Sequence, residues 1–479
     1  MLLNKYTNPK VSSAPSASEL RTALLNEGST DARNQISMIF DEGTFVETSA
    51  YMKRGFSEFL TTDAANEFEG VITGYGSVDG KLTFAFVEDS ARMGGAIDDR
   101  HAKKICDLYK LAITNGAPVI GVFNSNGANI FEGTSGLAAY GRIIAAVNSA
   151  SGVIPQIAFV AGKCIGTSSA IASMFDIVVK DTKAELYVSS PNLTKNDKAQ
   201  DAVIAYTAET AECAGFIRSI ISFFPSNSSL GIQVADCSDN LNRLLGELDF
   251  GGEALAEISV IADNGVFYQL GADTVKNATT AFASIAGVKC GIVATSFAYN
   301  DGKIDAAAAR KIARFVSLCD RFNLPVVTLV DSLGLAIDAE NENNFAPDLA
   351  KLAYAYASGK SPKVTVIMNH AIGASFVLLG SKSLGADIVY ALDNAEIGAL
   401  CAESGVAFAW DKYITEQTTR EQLVNEWKSS VSSVAHAAAS GEIDDIISTN
   451  ELRARICSAL LMLSTKGASS LFGNKILPL

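Results

Sequence analysis

This sequence predicts an α/β fold made of two tandem halves, and three observations carry the prediction. Strand-like apolar runs alternate with helix-like amphipathic runs along most of the chain, the pattern of strands joined by crossover helices. The stretch PQIAFVAGKCIGTSSAIASMFD at 155–176 is echoed by PKVTVIMNHAIGASFVLLGSKSLGAD at 362–387. Three earlier segments are echoed in the same order, so the repeat has the period of a whole domain.

Taken in chain order, IFDEGTFVE (39–47) answers IADNGVFYQ (261–269). EGVITGYGSVDGKLTFAFVED (69–89) answers TAFASIAGVKCGIVATSF (280–297), and in each a DG or AG dipeptide between β-rich runs reads as a hairpin turn. HAKKICDLYKLAITNGAPVIGVFNSNGANIFEG (101–133) answers ARKIARFVSLCDRFNLPVVTLVDSLGLAIDAEN (309–341). Each of these is a helix with apolar residues near i, i+3 and i+4, then a Pro-marked break and a strand. FFPSNSSLG and ELDFGGE supply turn and linker chemistry near 225–255, which divides the chain into residues 1–245 and 246–479. The segment 419–464, broken by Gly441, reads as packing helices with no catalytic pattern.

With 479 residues, 48% hydrophobic and 19% charged, the chain can bury large cores and does not read as disordered. A net charge of −14 argues against a nucleic-acid partner, since neutralising phosphates takes clustered Lys and Arg. The N-terminal residues lack the apolar core of a signal peptide and no window approaches a membrane span, so a cytoplasmic protein without direct membrane insertion is expected. Eight cysteines without a CxxC pair and three scattered histidines offer no metal-ligand spacing, and no bound metal is expected.

Chemistry therefore falls on the echoed glycines. Gly166-Thr167 and Gly373-Ala374 each stand between an apolar strand and a helix. The first turn of a helix has unpaired N–H groups and a partial positive charge, and small side chains let a ligand reach them. Two such sites suit two carbonyl oxygens that become anionic; glycines that only permit close helix–strand packing are the competing reading. Cys164 has no visible basic partner and reads as packing, and His370 as structural. A reaction whose base is brought by substrate or cofactor fits this inventory.

GAPVIGVFNSNGANIFEG, SGVIPQIAFVAGKCIGTSSAIASMFDIVV, ARKIARFVSLCDRFNLPVVTLVD, SPKVTVIMNHAIGASF, SLGADIVYALDNAEIGAL and the terminal FGNKILPL together resemble the carboxyltransferase subunits of biotin-dependent acyl-CoA carboxylases and of sodium-pumping acyl-CoA decarboxylases. The resemblance implies two crotonase-like domains, a hexameric homo-oligomer, and carboxyl transfer between carboxybiotin and the α-carbon of a short-chain acyl-CoA. It implies that biotin arrives on a separate biotin carboxyl carrier protein, with a biotin carboxylase or membrane decarboxylase subunits as further partners and a coenzyme A thioester as substrate. Gly166 and Thr167 would serve the acyl-CoA carbonyl, and Gly373 and Ala374 biotin. Gly94, Gly95, Gly127, Ala128, Cys164 and Ile165 would line the first site, and Ile372, Ser375, Phe376 and Val377 the second. Met52-Lys53-Arg54 does not match a biotinylation motif and reads as surface.

Several positions depart from the family pattern. Asn126, Asn129 and Leu333 replace residues usual there, Val377 stands where many relatives carry Asp, and Thr167 replaces Gly. A β-branched residue is poorly suited to positive φ and would crowd the thioester. The stretch 192–212 reads as shortened. These departures keep open an α subunit of a methylmalonyl-, malonyl- or glutaconyl-CoA decarboxylase, and a non-catalytic paralogue.

Overall fold

A computed structural model describes residues 16–26, 28, 30–53, 67–189, 203–245, 252–337, 342 and 345–466. Arg54, most of the stretch 192–212 and the terminal FGNKILPL lie outside the described residues. Two eight-stranded sheets carry the fold, one per half. The first runs β1-β2-β3-β4-β5-β6-β8, with β7 paired to β5: β1 is Val46–Thr48, β2 Val71–Val78, β3 Lys81–Glu88, β4 Val119–Ser125, β5 Gln156–Ile165, β6 Ile177–Asp181, β7 Glu185–Tyr187 and β8 Ile204–Ala208. The second runs β9-β10-β11-β12-β13-β14-β16, with β15 paired to β13: β9 is Phe267–Leu270, β10 Ala278–Ile285, β11 Val288–Thr295, β12 Val326–Ser332, β13 Lys363–Ile372, β14 Ile388–Leu392, β15 Glu396–Gly398 and β16 Asp445–Ile447. Strand for strand the second sheet repeats the first.

Both sheets begin with antiparallel strands and continue as parallel ones. The two hairpins close where the sequence placed them. Asp79 and Gly80 turn at φ 49° and 79°, and Ala286 and Gly287 at 54° and 76°, the pair of positive φ values that a tight hairpin needs. Asp263 caps the second turn by accepting from the N–H groups of Ala286 and Gly287 at 2.9 and 2.8 Å, and it also holds the buried Arg453 at 2.7 Å.

Crossover helices follow the predicted pattern. Helix α1 (Asp99–Asn115) starts on the Asp98 side chain, which accepts from the Arg100 and His101 N–H groups, and stops at Gly116 with φ 59°. Its counterpart α2 (Ala306–Arg321) starts on Asp305. On its inner face α2 buries Ile312, Phe315, Val316 and Cys319 in a core shared by the two halves. Aromatic rings cross that seam: Phe282 lies 5.3 Å from Phe223, 5.0 Å from Phe224 and 5.1 Å from Phe315. Arg314 adds a charge-assisted bond from the second half to the Phe175 carbonyl of the first at 2.8 Å. The halves are thus one packed body.

The segment 419–464 departs from the all-helical expectation. Helices Arg420–Ser430, Val434–Ala439 and Leu452–Leu463 form, but Asp445–Ile447 joins β14 as a parallel edge strand. Three residues are too few to show a period, and the pairing comes from an edge made by the distant β14.

Candidate active site

Each half builds the same site from the end of a central parallel strand. β5 ends at Ile165, and Gly166 (φ 64°, ψ −128°) turns the chain into the helix Thr167–Ser173. β13 ends at Ile372, and Gly373 (φ 59°, ψ −133°) turns it into the helix Ala374–Leu378. A residue with a Cβ rarely adopts that backbone conformation, so Gly is required by torsion, and at Gly166 open space surrounds the missing Cβ. Thr167 lies in helical backbone and is not among the positive-φ residues, so the strain the sequence suggested for it does not arise; Gly166 takes the unusual torsion instead.

The N–H of Gly166 is bonded to the Tyr187 carbonyl at 2.9 Å and that of Gly373 to the Gly398 carbonyl at 2.8 Å. The next N–H groups, on Thr167 and Ala374, open helices whose starts have no side-chain cap. Among the described residues neither has an acceptor.

A second loop faces each pair, held by matching bonds in the two halves. Gly127 N–H donates to Ser125 Oγ at 3.0 Å, as Gly334 N–H does to Ser332 Oγ at 3.2 Å. Asn126 N–H donates to the Gly94 carbonyl, as Leu333 N–H does to Asp301. Ile97 N–H reaches the Gly127 carbonyl and its own carbonyl accepts from Asn129, as Ile304 does with Gly334 and Ala336. The N–H groups of Ala128 and Leu335 are skipped by this lattice in both halves. In the first half the Tyr140 hydroxyl, on the helix Thr134–Ala150 that follows the loop, lies 3.3 Å from Ser168 Oγ on the helix after Gly166, and in the second Ser375 Oγ donates to the Ser332 carbonyl (3.3 Å).

Gly94 and Gly95 serve close approach: a Cβ would stand 2.1 Å from Asn126 Nδ2 at the former and 2.5 Å from the Asn124 carbonyl at the latter. The Cys164 side chain is buried in the core of the first half, and burial pushes its thiol well above the ordinary range, so it brings no thiolate chemistry. Ile165 and Ile372 end their strands beside the glycines. Ser375 is buried and bonds the Ile372 carbonyl at 2.8 Å, Phe376 packs on the shared core, and Val377 is exposed. Lys103 is exposed and paired with Asp107 at 2.6 Å. Among the described residues no group of three His, Cys, Asp or Glu side chains is placed to hold a metal ion.

Leu335 escaped the sequence reading as a donor, although matching Pro118 to Pro325 in the two halves sets it opposite Ala128. Also unexpected is a polar cluster beside the second site. Asp331 accepts from the N–H and Nδ1 of His370 at 3.1 and 2.8 Å, and the His370 ring stacks on Phe297 with centroids 5.2 Å apart. Glu257 lies beneath it with its carboxyl pushed up to about 8 by burial and by the Asp331 charge.

Fold and site define a duplicated α/β scaffold with crotonase-like halves, each presenting backbone donors of the kind that stabilise a carbonyl-derived oxyanion. The chain belongs to the carboxyl transferase family: the carboxyl transferase domain model matches residues 24–220 and 199–475. It is 33% identical over 470 residues to the methylmalonyl-CoA decarboxylase subunit alpha of Propionigenium modestum, covering 92% of this chain and 91% of that one. It is 32% identical over 487 residues to the mitochondrial propionyl-CoA carboxylase beta chain of Homo sapiens, covering 93% and 89%. Among solved structures, a chain of transcarboxylase 12S, from a structure of its hexamer assembly with methylmalonyl-coenzyme A bound, superposes with TM-score 0.86 at 29% identity, covering 95% of this chain and 94% of that one. The chain is an acyl-CoA carboxyltransferase.

Proposed function

We propose that this chain moves a carboxyl group between carboxybiotin on a separate carrier protein and the α-carbon of a short-chain acyl-CoA. The acyl-CoA side belongs to residues 1–245, and the biotin side to residues 246–479. The observation that carries the reading is the duplicated donor lattice, which leaves Ala128 and Thr167 N–H in one half and Leu335 and Ala374 N–H in the other. Two half-reactions with two developing oxyanions need two such sites.

Bound biotin would supply the carboxyl group and a ureido nitrogen able to take a proton. The small Ala374 leaves the second helix start open to a cyclic urea, and Leu335 gives that site an apolar wall. In the first half, Ala128 and Thr167 N–H would hold the thioester oxygen as charge builds on it, each donor contributing roughly 3 kcal/mol by the usual effect of deleting one. The Thr167 side chain, exposed at this helix start, would limit the acyl group. No helix of the described residues is long and apolar enough to cross a membrane. A cytoplasmic hexamer served by a biotin carboxyl carrier and a biotin carboxylase, or by membrane decarboxylase subunits, completes the proposal.

The test is to incubate purified protein with free biotin and malonyl-, methylmalonyl- or glutaconyl-CoA and follow biotin-dependent loss of each thioester's carboxylate. Turnover of at least one supports the reading. Coenzyme A binding without turnover of any supports a non-catalytic paralogue.

A further inference from the structure

The two halves differ at one structural joint of the site. β4 and β12 each lose sheet register just before the donor loop, between Phe123 and Ser125 and between Val330 and Ser332. The residue inside each irregularity has an N–H that the ladder does not take up, and a side chain at the end of the preceding strand accepts it. In the second half Thr295 Oγ1 accepts from Asp331 N–H at 2.7 Å. In the first half Glu88 Oε2 accepts from Asn124 N–H at 2.8 Å. A hydroxyl does this work at one site and a buried carboxylate at the other.

We propose that Glu88 is a proton-sensitive positioning residue for the acyl-CoA side: its carboxylate fixes Asn124 and so the Ser125–Ala128 loop that presents the Ala128 N–H. This rests on the reading of Ala128 as a donor to substrate. Every charged or titratable group near Glu88 comes from an element packed on it. His101 of α1 puts Nε2 3.8 Å from Glu88 Oε1 and Nδ1 3.7 Å from Glu69 Oε1, and neither nitrogen makes a hydrogen bond. Asp98 caps the same helix, and Lys104 on it donates to the Val71 carbonyl at 2.5 Å. Asp89 and Arg92, 3.7 Å apart, follow β3. Tyr140 and Cys164 feel the Glu88 charge from the following helix and β5. Burial raises the Glu88 carboxyl to about 7 against the pull of His101 and of the Asn124 N–H. Acidification therefore turns a charged acceptor into the weaker, neutral acceptor of a carboxylic acid within the neutral range, while Thr295 is indifferent to pH.

Steady-state kinetics with free biotin and methylmalonyl-CoA at pH 8 and pH 6, on the wild type, Glu88→Gln and Glu88→Leu, test this. For a single proton near pH 7, kcat/KM for the acyl-CoA should fall about tenfold between pH 8 and pH 6 in the wild type while the KM for biotin holds. Gln matches the neutral acid and does not titrate, so Glu88→Gln should be flat near the wild type's pH 6 value, and Glu88→Leu, which has no acceptor, should be impaired further at both pH values. An equal fall in Glu88→Gln, or a rise in the KM for biotin instead, overturns the proposal. Hydrogen exchange over residues 119–133, corrected for intrinsic rate, decides it without turnover: faster opening at pH 6 in the wild type but not in Glu88→Gln supports it, and identical behaviour refutes it. A wild type inactive on every thioester would refute the functional reading alone.

Discussion

Gly166→Ala perturbs the proposed acyl-CoA site with the smallest possible change. The structure separates two costs. No atom lies within 4 Å of the added Cβ, so there is no clash to relieve. The backbone at φ 64° and ψ −128° is the obstacle, and holding a non-glycine residue in such a region costs about 1–3 kcal/mol. The chain can escape that strain by rotating the 166–167 peptide, which swings the Thr167 N–H away from the substrate oxygen. Loss of one preorganised donor lowers kcat by roughly 10²–10³. The assay is biotin-dependent decarboxylation of the best thioester, with thermal unfolding alongside. The expected result is a kcat reduced at least a hundredfold in a protein that still folds and binds biotin. A kcat within about twofold of the wild type would refute the assignment of this turn as an oxyanion site.

Thr167→Gly should widen the thioester pocket and raise kcat/KM for longer acyl chains relative to malonyl-CoA, read as a ratio across a substrate series; an unchanged ratio removes Thr167 from substrate selection. Glu257→Gln tests a pH effect whose sign is set by a raised carboxyl. Because the folded chain keeps the Glu257 proton up to about pH 8 while the unfolded chain loses it near its ordinary value, stability from this group is complete in acid and is lost as pH rises towards 8, by on the order of a few kcal/mol. Urea unfolding at pH 5 and pH 8 should show a smaller difference in Glu257→Gln than in the wild type. Asp263→Ala removes the acceptor of two buried N–H groups and one of the two carboxylates that pair with buried Arg453, Asp239 at 3.1 Å being the other, and should destabilise by about 1–3 kcal/mol in the same experiment.

What the sequence made legible was what local chemistry encodes. Asp79-Gly80 and Ala286-Gly287 announced their hairpins because a tight turn needs positive φ at both residues. Gly166 and Gly373 stood out because the duplication repeats a torsion only glycine adopts freely. The rest depended on contacts remote in sequence. Glu88 meets Asn124 only because a register irregularity frees an N–H 36 residues away. Leu335 becomes a donor because its neighbours' bonds bypass it, which no residue type signals. Asp445–Ile447 is a strand by virtue of the β14 edge. The supposed strain at Thr167 failed because the preceding glycine carries the torsion.

The central claim is that one half of the chain serves acyl-CoA and the other serves biotin. The most direct measurement compares Gly166→Ala with Gly373→Ala while titrating free biotin and acyl-CoA separately. Gly166→Ala should depress acyl-CoA activation and leave the apparent affinity for biotin in place, and Gly373→Ala should do the reverse. Identical defects in both titrations from both variants would contradict the division of labour.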